Sequence, residues 1–234
     1  MKEFKYLIWR LFKKLNLEIL PDEKKNSVQS YLKYLIDTRQ IDCIFDVGAN
    51  QGQFYKMLRS IGYKNQIKLF EPLPTCWPEL EKITRKDNRS KLYRFGVGNE
   101  EKFLTFYETK NSVSSSFKKP LNEITIKRLH NIPIKQLGKH FDNLAYNNFL
   151  KIDAQGFERE VVEGTKDILK FFCFILMELS VFPQYQSEPN YIEMLNFMDE
   201  IGYQPIFFYP GVANSENEII QLEVIFRQKI MIKE

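Results

Sequence analysis

The sequence predicts an α/β fold: a mostly parallel sheet with helices on both faces and an antiparallel hairpin at its C-terminal end. Three observations predict it. From Ile41 onward, short apolar runs of β type alternate with segments of helical period. The first run passes through IFDVGANQGQF at residues 44–54, which reads as strand, acid, glycine-bearing turn and helix start in succession. The last two strand-like runs, 204–209 and 219–226, have no helix between them and are expected to pair antiparallel. A chain of 234 residues with 44% hydrophobic and 27% charged residues has room for one such domain with a full core.

Residues 1–20 read as an amphipathic helix, with Phe4, Leu7, Ile8, Leu11, Phe12 and Leu15 on one stripe and Trp9, Arg10, Lys13 and Lys14 off it. Such a face suits weak contact with a membrane surface or a partner. Packing on its own domain, or on a second subunit of a homo-oligomer, is the simpler use. Pro21 and Asp22 stop this helix, and a second follows over 27–38 with Val28, Tyr31, Leu32 and Leu35 on one face. Residues 1–40 are thus expected to form an N-terminal helical extension, and 41–234 the main domain.

The first strand is Cys43–Val47, and the helix over 53–61 stops at Gly62, a suitable C-cap. A second strand, 67–70, is closed by Glu71; Pro72 and Pro74 then bar helix until 77–85. The third strand, 91–97, is closed by Gly98 and Asn99. An extra strand at 104–107 precedes the polar run NSVSSSF, and 132–137 is extended. The fourth strand, 149–152, ends on Asp153, with Gln155 and Gly156 after it. A helix over 157–171 follows, in which Gly164 is expected to be a weak point. The fifth strand, 173–177, ends on Glu178, and a helix over 190–201 stops at Gly202 before the final hairpin.

Composition narrows the function. A formal charge of +4, dispersed along the chain, gives no footprint for nucleic acid. Cys43, Cys76 and Cys173 have neither zinc-ligand spacing nor an even count, so they fit a reducing cytoplasm better than a disulfide framework. No apolar stretch approaches the 18 or so residues that a membrane span needs. Lys5, Arg10, Lys13 and Lys14 break the apolar run that a signal peptide would require.

The glycine loop is where chemistry is expected. Gly48 and Gly52 can take positive φ and let backbone approach a ligand. The spacing is G-x-x-x-G with Asp46 before it, not the G-x-G-x-x-G of dinucleotide sites. An acid at Asp46 would repel a pyrophosphate but suits a cationic or hydroxyl-bearing ligand such as S-adenosylmethionine (SAM). Five strand ends carry a carboxylate or amide: Asp46, Glu71, Asn99, Asp153 and Glu178. In a parallel sheet the carboxyl ends line one crevice, so these residues should converge. Glu71 lies one strand–helix–strand unit beyond Asp46, where an acid can accept both hydroxyls of a ribose.

At this point the chain resembles a known family. IFDVGANQGQF, LFEPLP, GVGNEE, SVSSSF, and above all FLKIDAQGFEREVVEG resemble the FkbM-type SAM-dependent methyltransferases, and QLEVIFRQ resembles their last strand. The likeness runs from about Ile41 to Phe226 and leaves the first 40 residues outside it. It implies a class I methyltransferase fold, Rossmann-like, with SAM as cofactor. Asp46, Gly48, Asn50 and Gly52 would cradle the methionine part, Glu71 the ribose, and Gly98 and Asn99 the adenine. Asp153 and Gln155 would sit near the transferred methyl. Members of the family typically methylate hydroxyls of sugars, glycans or secondary metabolites, which makes a small molecule or glycan the expected acceptor.

Transfer to an unactivated hydroxyl benefits from a base. Asp153, Glu178 and His130 are the candidates, and Asp153 stands first because its strand-end position places it in the crevice. No dense Asp/His cluster argues for a metal. The acceptor pocket is expected from the SVSSSF loop, 132–137 and 181–189. Two other functions fit parts of the pattern: an NAD-dependent oxidoreductase, which the missing third glycine and Asp46 disfavour, and a non-catalytic nucleotide-binding scaffold, which intact Asp46, Glu71 and Asp153 disfavour.

Overall fold

The computed structural model describes residues 27–121, 124–142 and 144–229. The expected helix at 1–20 lies outside the described residues. The chain from Ser27 forms α1 (Val28–Arg39), β1 (Cys43–Val47), α2 (Gln53–Ser60), β2 (Gln66–Phe70), α3 (Trp77–Lys86), β3 (Ser90–Tyr93), β4 (Gly96–Val97) and β5 (Lys102–Thr109). It continues with β6 (Ile126–Lys135), α4 (Leu137–His140), β7 (Asn148–Ile152), α5 (Glu158–Thr165), β8 (Phe172–Ser180), α6 (Tyr191–Glu200), β9 (Tyr203–Pro210) and β10 (Gln221–Gln228).

The main sheet has seven strands in the order β3-β2-β1-β7-β8-β10-β9. β3, β2, β1, β7 and β8 run parallel, whereas β10 inserts between β8 and β9 and is antiparallel to both. The expected terminal hairpin is therefore present, with its second strand buried in the sheet rather than at the edge. In this mixed α/β architecture the order reverses at β1 and opens a crevice at the carboxyl ends of the strands.

Strand alternation divides the core into two layers. Phe45, Leu150, Ile152, Ile175, Met177, Val224 and Phe226 face one side, and Ile44, Phe149, Phe174, Leu176 and Ile225 the other. All five residues of β1 and of β7 are buried, as expected of strands covered on both faces. Each large side chain so buried contributes about 1.5–3 kcal/mol. Two of these buried positions are not apolar: Asp46 on β1 and Lys151 on β7 share the second face. Helix α1, capped by the reciprocal Ser27–Ser30 pair, buries Val28, Leu32 and Leu35 in that same layer.

Two local expectations need correction. The third strand does not run through 91–97: β3 leaves the main sheet after Tyr93, and Gly96–Val97 pairs instead with Ile134–Lys135 of a second, three-stranded sheet ordered β4-β6-β5. That sheet rests on its own apolar cluster of Leu73, Cys76, Phe106 and Ile132, which draws the chain away. The helix expected over 157–171 is α-helical only to Thr165, and Lys166–Phe171 is a 3₁₀ turn. Gly164, expected as a weak point, stands one residue before the α-helix ends and also has a packing role. A Cβ on it would come within 1.9 Å of the Gly98 carbonyl oxygen, so its absence is what lets α5 pack on the loop after β4.

Candidate active site

The glycine loop follows β1 because the backbone must reverse there, and three of its residues, Gly48, Asn50 and Gly52, take positive φ. Gly48 has φ +77°, and a Cβ on it would lie 1.9 Å from the carbonyl oxygen of Asp153. Only glycine lets the end of β1 approach the end of β7 this closely. Asn50 also has positive φ, at 46°, and its side-chain oxygen accepts from Gln51 N–H at 2.9 Å, a local bond that makes the strained conformation tolerable for Asn.

Beside this loop lies a cavity of about 400 Å³, within the range of small-molecule sites. Gly48, Ala49 and Asn50 form one wall, and Phe95, Gly96 and Val97 another. Glu71 stands at one end and Asp153 with Gln155 at the other; Ser112, Ser115 and Phe117 of the SVSSSF loop close over it. The Glu71 carboxylate is held by backbone alone: Asn50 N–H donates to Oε2 at 2.6 Å and Leu73 N–H to Oε1 at 2.7 Å. Each oxygen keeps a second lone pair for a ligand hydroxyl. Burial pushes its carboxyl up to about 7, against the pull of those two N–H groups.

The other end is organised by a residue the sequence reading missed. Lys151 is buried, and its ammonium lies 3.0 Å from Asp46, 3.4 Å from Asp153 and donates at 2.9 Å to the Gly48 carbonyl. One cation thus ties β1, the glycine loop and the end of β7 together. Burial disfavours its charge, but Asp46 and then Asp153 overcome this and hold the ammonium well above its ordinary value. The signal was in the sequence: a lysine in the apolar run FLKI requires a buried carboxylate partner.

Asp46 therefore does not line the cavity. β1 continues through Val47, which turns the Asp46 side chain into the second core layer, fully buried against Lys151. Gly52 caps α2 and is likewise outside the lining. Gly98 and Asn99, expected beside an adenine, are also outside the cavity lining. The Asn99 amide donates to Glu163 at 2.7 Å and its carbonyl accepts from Gln136 at 2.6 Å, while Gly98 backs onto Gly164. The early exit of β3 puts Phe95, Gly96 and Val97 at the wall in their place.

Gln155 is a hub rather than a free amide. With φ 52°, it donates from Nε2 to Asp153 Oδ1 at 2.8 Å and to Glu178 Oε2 at 2.9 Å. The Tyr185 hydroxyl donates to its Oε1 at 3.0 Å, which fixes the amide's orientation. That is the part 181–189 plays: Tyr185 stands behind Gln155, and neither 181–189 nor 132–137 lines the cavity. Glu178 lies within β8, which runs on to Ser180, so it borders a smaller cavity of about 240 Å³ instead. The two cavities share Phe54, Met57, Lys151, Asp153 and Glu223. Burial, and then the Asp153 charge, push the Glu178 carboxyl up to about 8.

His130 is not brought to the site. It sits on β6 of the small sheet, 2.7 Å from the Glu108 carboxylate, which also pairs with Lys127 at 3.0 Å. Burial works the other way, but these two neighbours hold the Glu108 carboxyl below its ordinary value. Among the described residues, no group of three or more His, Cys, Asp or Glu is arranged to hold a metal ion. No described helix is long and apolar enough to cross a membrane. Cys43, Cys76 and Cys173 are all free thiols.

The FkbM methyltransferase domain family matches residues 46–205, a span that covers the glycine loop, Glu71, Lys151, Asp153 and Glu178. The chain belongs to the FkbM methyltransferase family. SAM is the cofactor of these methyltransferases, which sets the NAD-dependent reading aside. Solved structures agree on the fold. The FkbM methyltransferase from Methylobacillus flagellatus KT superposes with a TM-score of 0.57 at 13% identity, over 87% of this chain and 47% of that one. This chain thus spans about half the length of that protein. The Burkholderia thailandensis 1,6-didemethyltoxoflavin-N1-methyltransferase, with S-adenosylhomocysteine (SAH) bound, superposes with a TM-score of 0.51 at 8% identity, over 88% and 80% of the two chains. No curated protein sequence matches the chain.

Proposed function

We propose that this chain is a SAM-dependent O-methyltransferase acting on a hydroxyl of a sugar, a glycan or a secondary metabolite. One observation carries the reading: a single cavity has a backbone-held carboxylate, Glu71, at one end and a carboxylate oriented by an amide and a lysine, Asp153, at the other. The residues fit the cofactor. Glu71 keeps acceptor lone pairs for two ribose hydroxyls, Phe95, Gly96 and Val97 offer a flat wall for an adenine, and Gly48 and Asn50 present backbone to an amino acid moiety. SAM supplies an electrophilic methyl on a positively charged sulfur.

The chain's own part is orientation. Lys151 and Gln155 hold the Asp153 carboxylate from opposite oxygens, so it can accept a hydrogen bond from an acceptor hydroxyl in one direction only. Holding the reacting atoms about 3–3.5 Å apart and aligned accounts for much of the rate in such a displacement. The SVSSSF loop restricts water: Ser112 Oγ donates to Asn50 at 3.2 Å and Ser116 Oγ to the Gln155 carbonyl at 2.6 Å, bridging both ends of the cavity.

Calorimetry with SAM, SAH and NAD tests the cofactor assignment. Binding of SAM and SAH without NAD is expected; silence with all three would favour the scaffold reading. Asp153→Asn is expected to lower turnover by roughly 10²-fold while SAM binding changes far less. Equal losses in both would make Asp153 a cofactor ligand.

A further inference from the structure

Acids occupy three successive strands of the main sheet at one level. Glu223 of β10 stands directly opposite Glu178 of β8. Asp153 follows Ile152, which pairs with Met177, so it continues the same row from β7. Adjacent strands lie about 4.8 Å apart, which makes this a line of carboxylates across the mouth of the site. Like charges opposed across an antiparallel ladder are unfavourable.

The three are not equivalent. Each Asp153 oxygen already takes one donor, Oδ1 from Gln155 and Oδ2 from Lys151, so it is held in place as an orienting group. Glu178 Oε2 takes two amide donors, Gln155 and Gln221, each at 2.9 Å, and Glu178 borders only the smaller cavity. The Glu223 carboxylate forms no hydrogen bond or ion pair with any described residue, and Glu223 lines both cavities. It is the one carboxylate of the row that takes no donor from a described residue on either oxygen, and it stands at the junction of the two spaces. The charged groups facing it are Glu178 on β8 and Asp153 and Lys151 on β7; its partner on β9 is Tyr209.

We propose that Glu223 takes the proton from the acceptor hydroxyl, with the acceptor entering through the smaller cavity and the cofactor filling the larger one. The inference rests on the methyl-transfer reading above. The hydroxyl proton passes to a Glu223 oxygen. The acceptor oxygen's electron pair forms the new bond to the methyl carbon, and the pair of the broken carbon–sulfur bond stays on sulfur. Burial, and then the Asp153 charge, raise the Glu223 carboxyl from its ordinary value and so increase its affinity for that proton. Asp153 and Gln155 serve as orienting groups.

The full chain is titrated by ¹³C NMR of its glutamate carboxyls with SAH bound, the Glu223 resonance being assigned from Glu223→Gln. Calorimetry with SAH, and SAH release from SAM over a panel of methyl glycosides and free sugars, complete the test. Glu223 is expected to titrate above the ordinary glutamate range. Glu223→Gln is expected to bind SAH within about twofold of the parent and to lose roughly 10²–10⁴-fold in kcat with little change in KM for SAM. A midpoint near the ordinary value of about 4.3, a kcat within threefold of the parent, or a loss of SAH affinity beyond tenfold would overturn the proposal. Failure of the parent chain to bind SAH would sink the methyl-transfer reading and this inference with it. If SAH binds but no panel hydroxyl is methylated, the titration midpoint alone decides.

Discussion

Glu71 and Asp153 each follow a parallel strand of one sheet and face one cavity, yet they are held in opposite ways. Glu71 is gripped by two backbone N–H groups from loops on either side, so its position is set by main-chain geometry. Asp153 is held by two side chains, Lys151 and Gln155, which depend in turn on Asp46 and Tyr185. A carboxylate fixed by backbone is rigid and serves binding. One fixed by a chain of side chains can be tuned, and it is open to disruption from residues that never touch a ligand.

Three experiments break or sharpen this contrast. The largest effect is expected from Asp46→Ala, which leaves the Lys151 ammonium buried without its nearest counter-charge. Breaking a buried pair from one side costs about 3–5 kcal/mol, read as a drop in the urea midpoint. A loss below about 1 kcal/mol would show that Lys151 does not hold the Asp153 end together. A smaller effect belongs to Glu71→Gln, whose neutral amide accepts from only one oxygen. SAM affinity is expected to fall roughly 10–150-fold, the equivalent of about 1.5–3 kcal/mol. The urea midpoint is expected to fall with it, because one backbone N–H loses its acceptor at a cost of about 1–3 kcal/mol. Unaltered SAM binding would remove Glu71 from the cofactor site.

The smallest effect is a pH dependence of the ligand-free protein. Burial raises Glu71 to about 7 and Glu158 to about 8, and burial with the Asp153 charge raises Glu178 to about 8, all from an ordinary 4.5. The folded chain keeps protons that the unfolded chain has released, so this stability is full below about 4.5 and is lost as pH rises through 7 to 8. Urea midpoints at pH 5.5 and 8.5 should therefore differ in favour of the lower pH, by at least about 1 kcal/mol. The opposite slope would mean that these carboxylates are already ionised and paired.

Glu158 shows how the raised value arises. Its Oε1 accepts from Ala154 N–H at 2.9 Å and Gly156 N–H at 3.2 Å, closing the turn that presents Gln155, at the cost of a buried carboxyl. In the sequence it is one acid among several at the start of a helix, and nothing local marks it as buried.

The alternation of periods placed β1, β2, β7 and β8 and the antiparallel pairing of β9 with β10. It also placed Glu71 and Asp153, because a residue just past a buried parallel strand can only emerge at the crevice. Those properties are local, since a strand's length and its polar terminus are written in consecutive residues. Tertiary structure alone decided where a strand ended by switching sheets, as β3 did at Tyr93, so that Phe95–Val97 replaced Gly98 and Asn99 at the cavity wall. It alone set the side chains that meet across strands: Asp46 with Lys151, Gln155 with Glu178 and Tyr185, and Glu223 beside Glu178. His130 went to Glu108 for the same reason. Cross-strand register brings together residues far apart in the chain, and the free energy that selects it comes from packing two whole faces of the sheet, which no single segment carries.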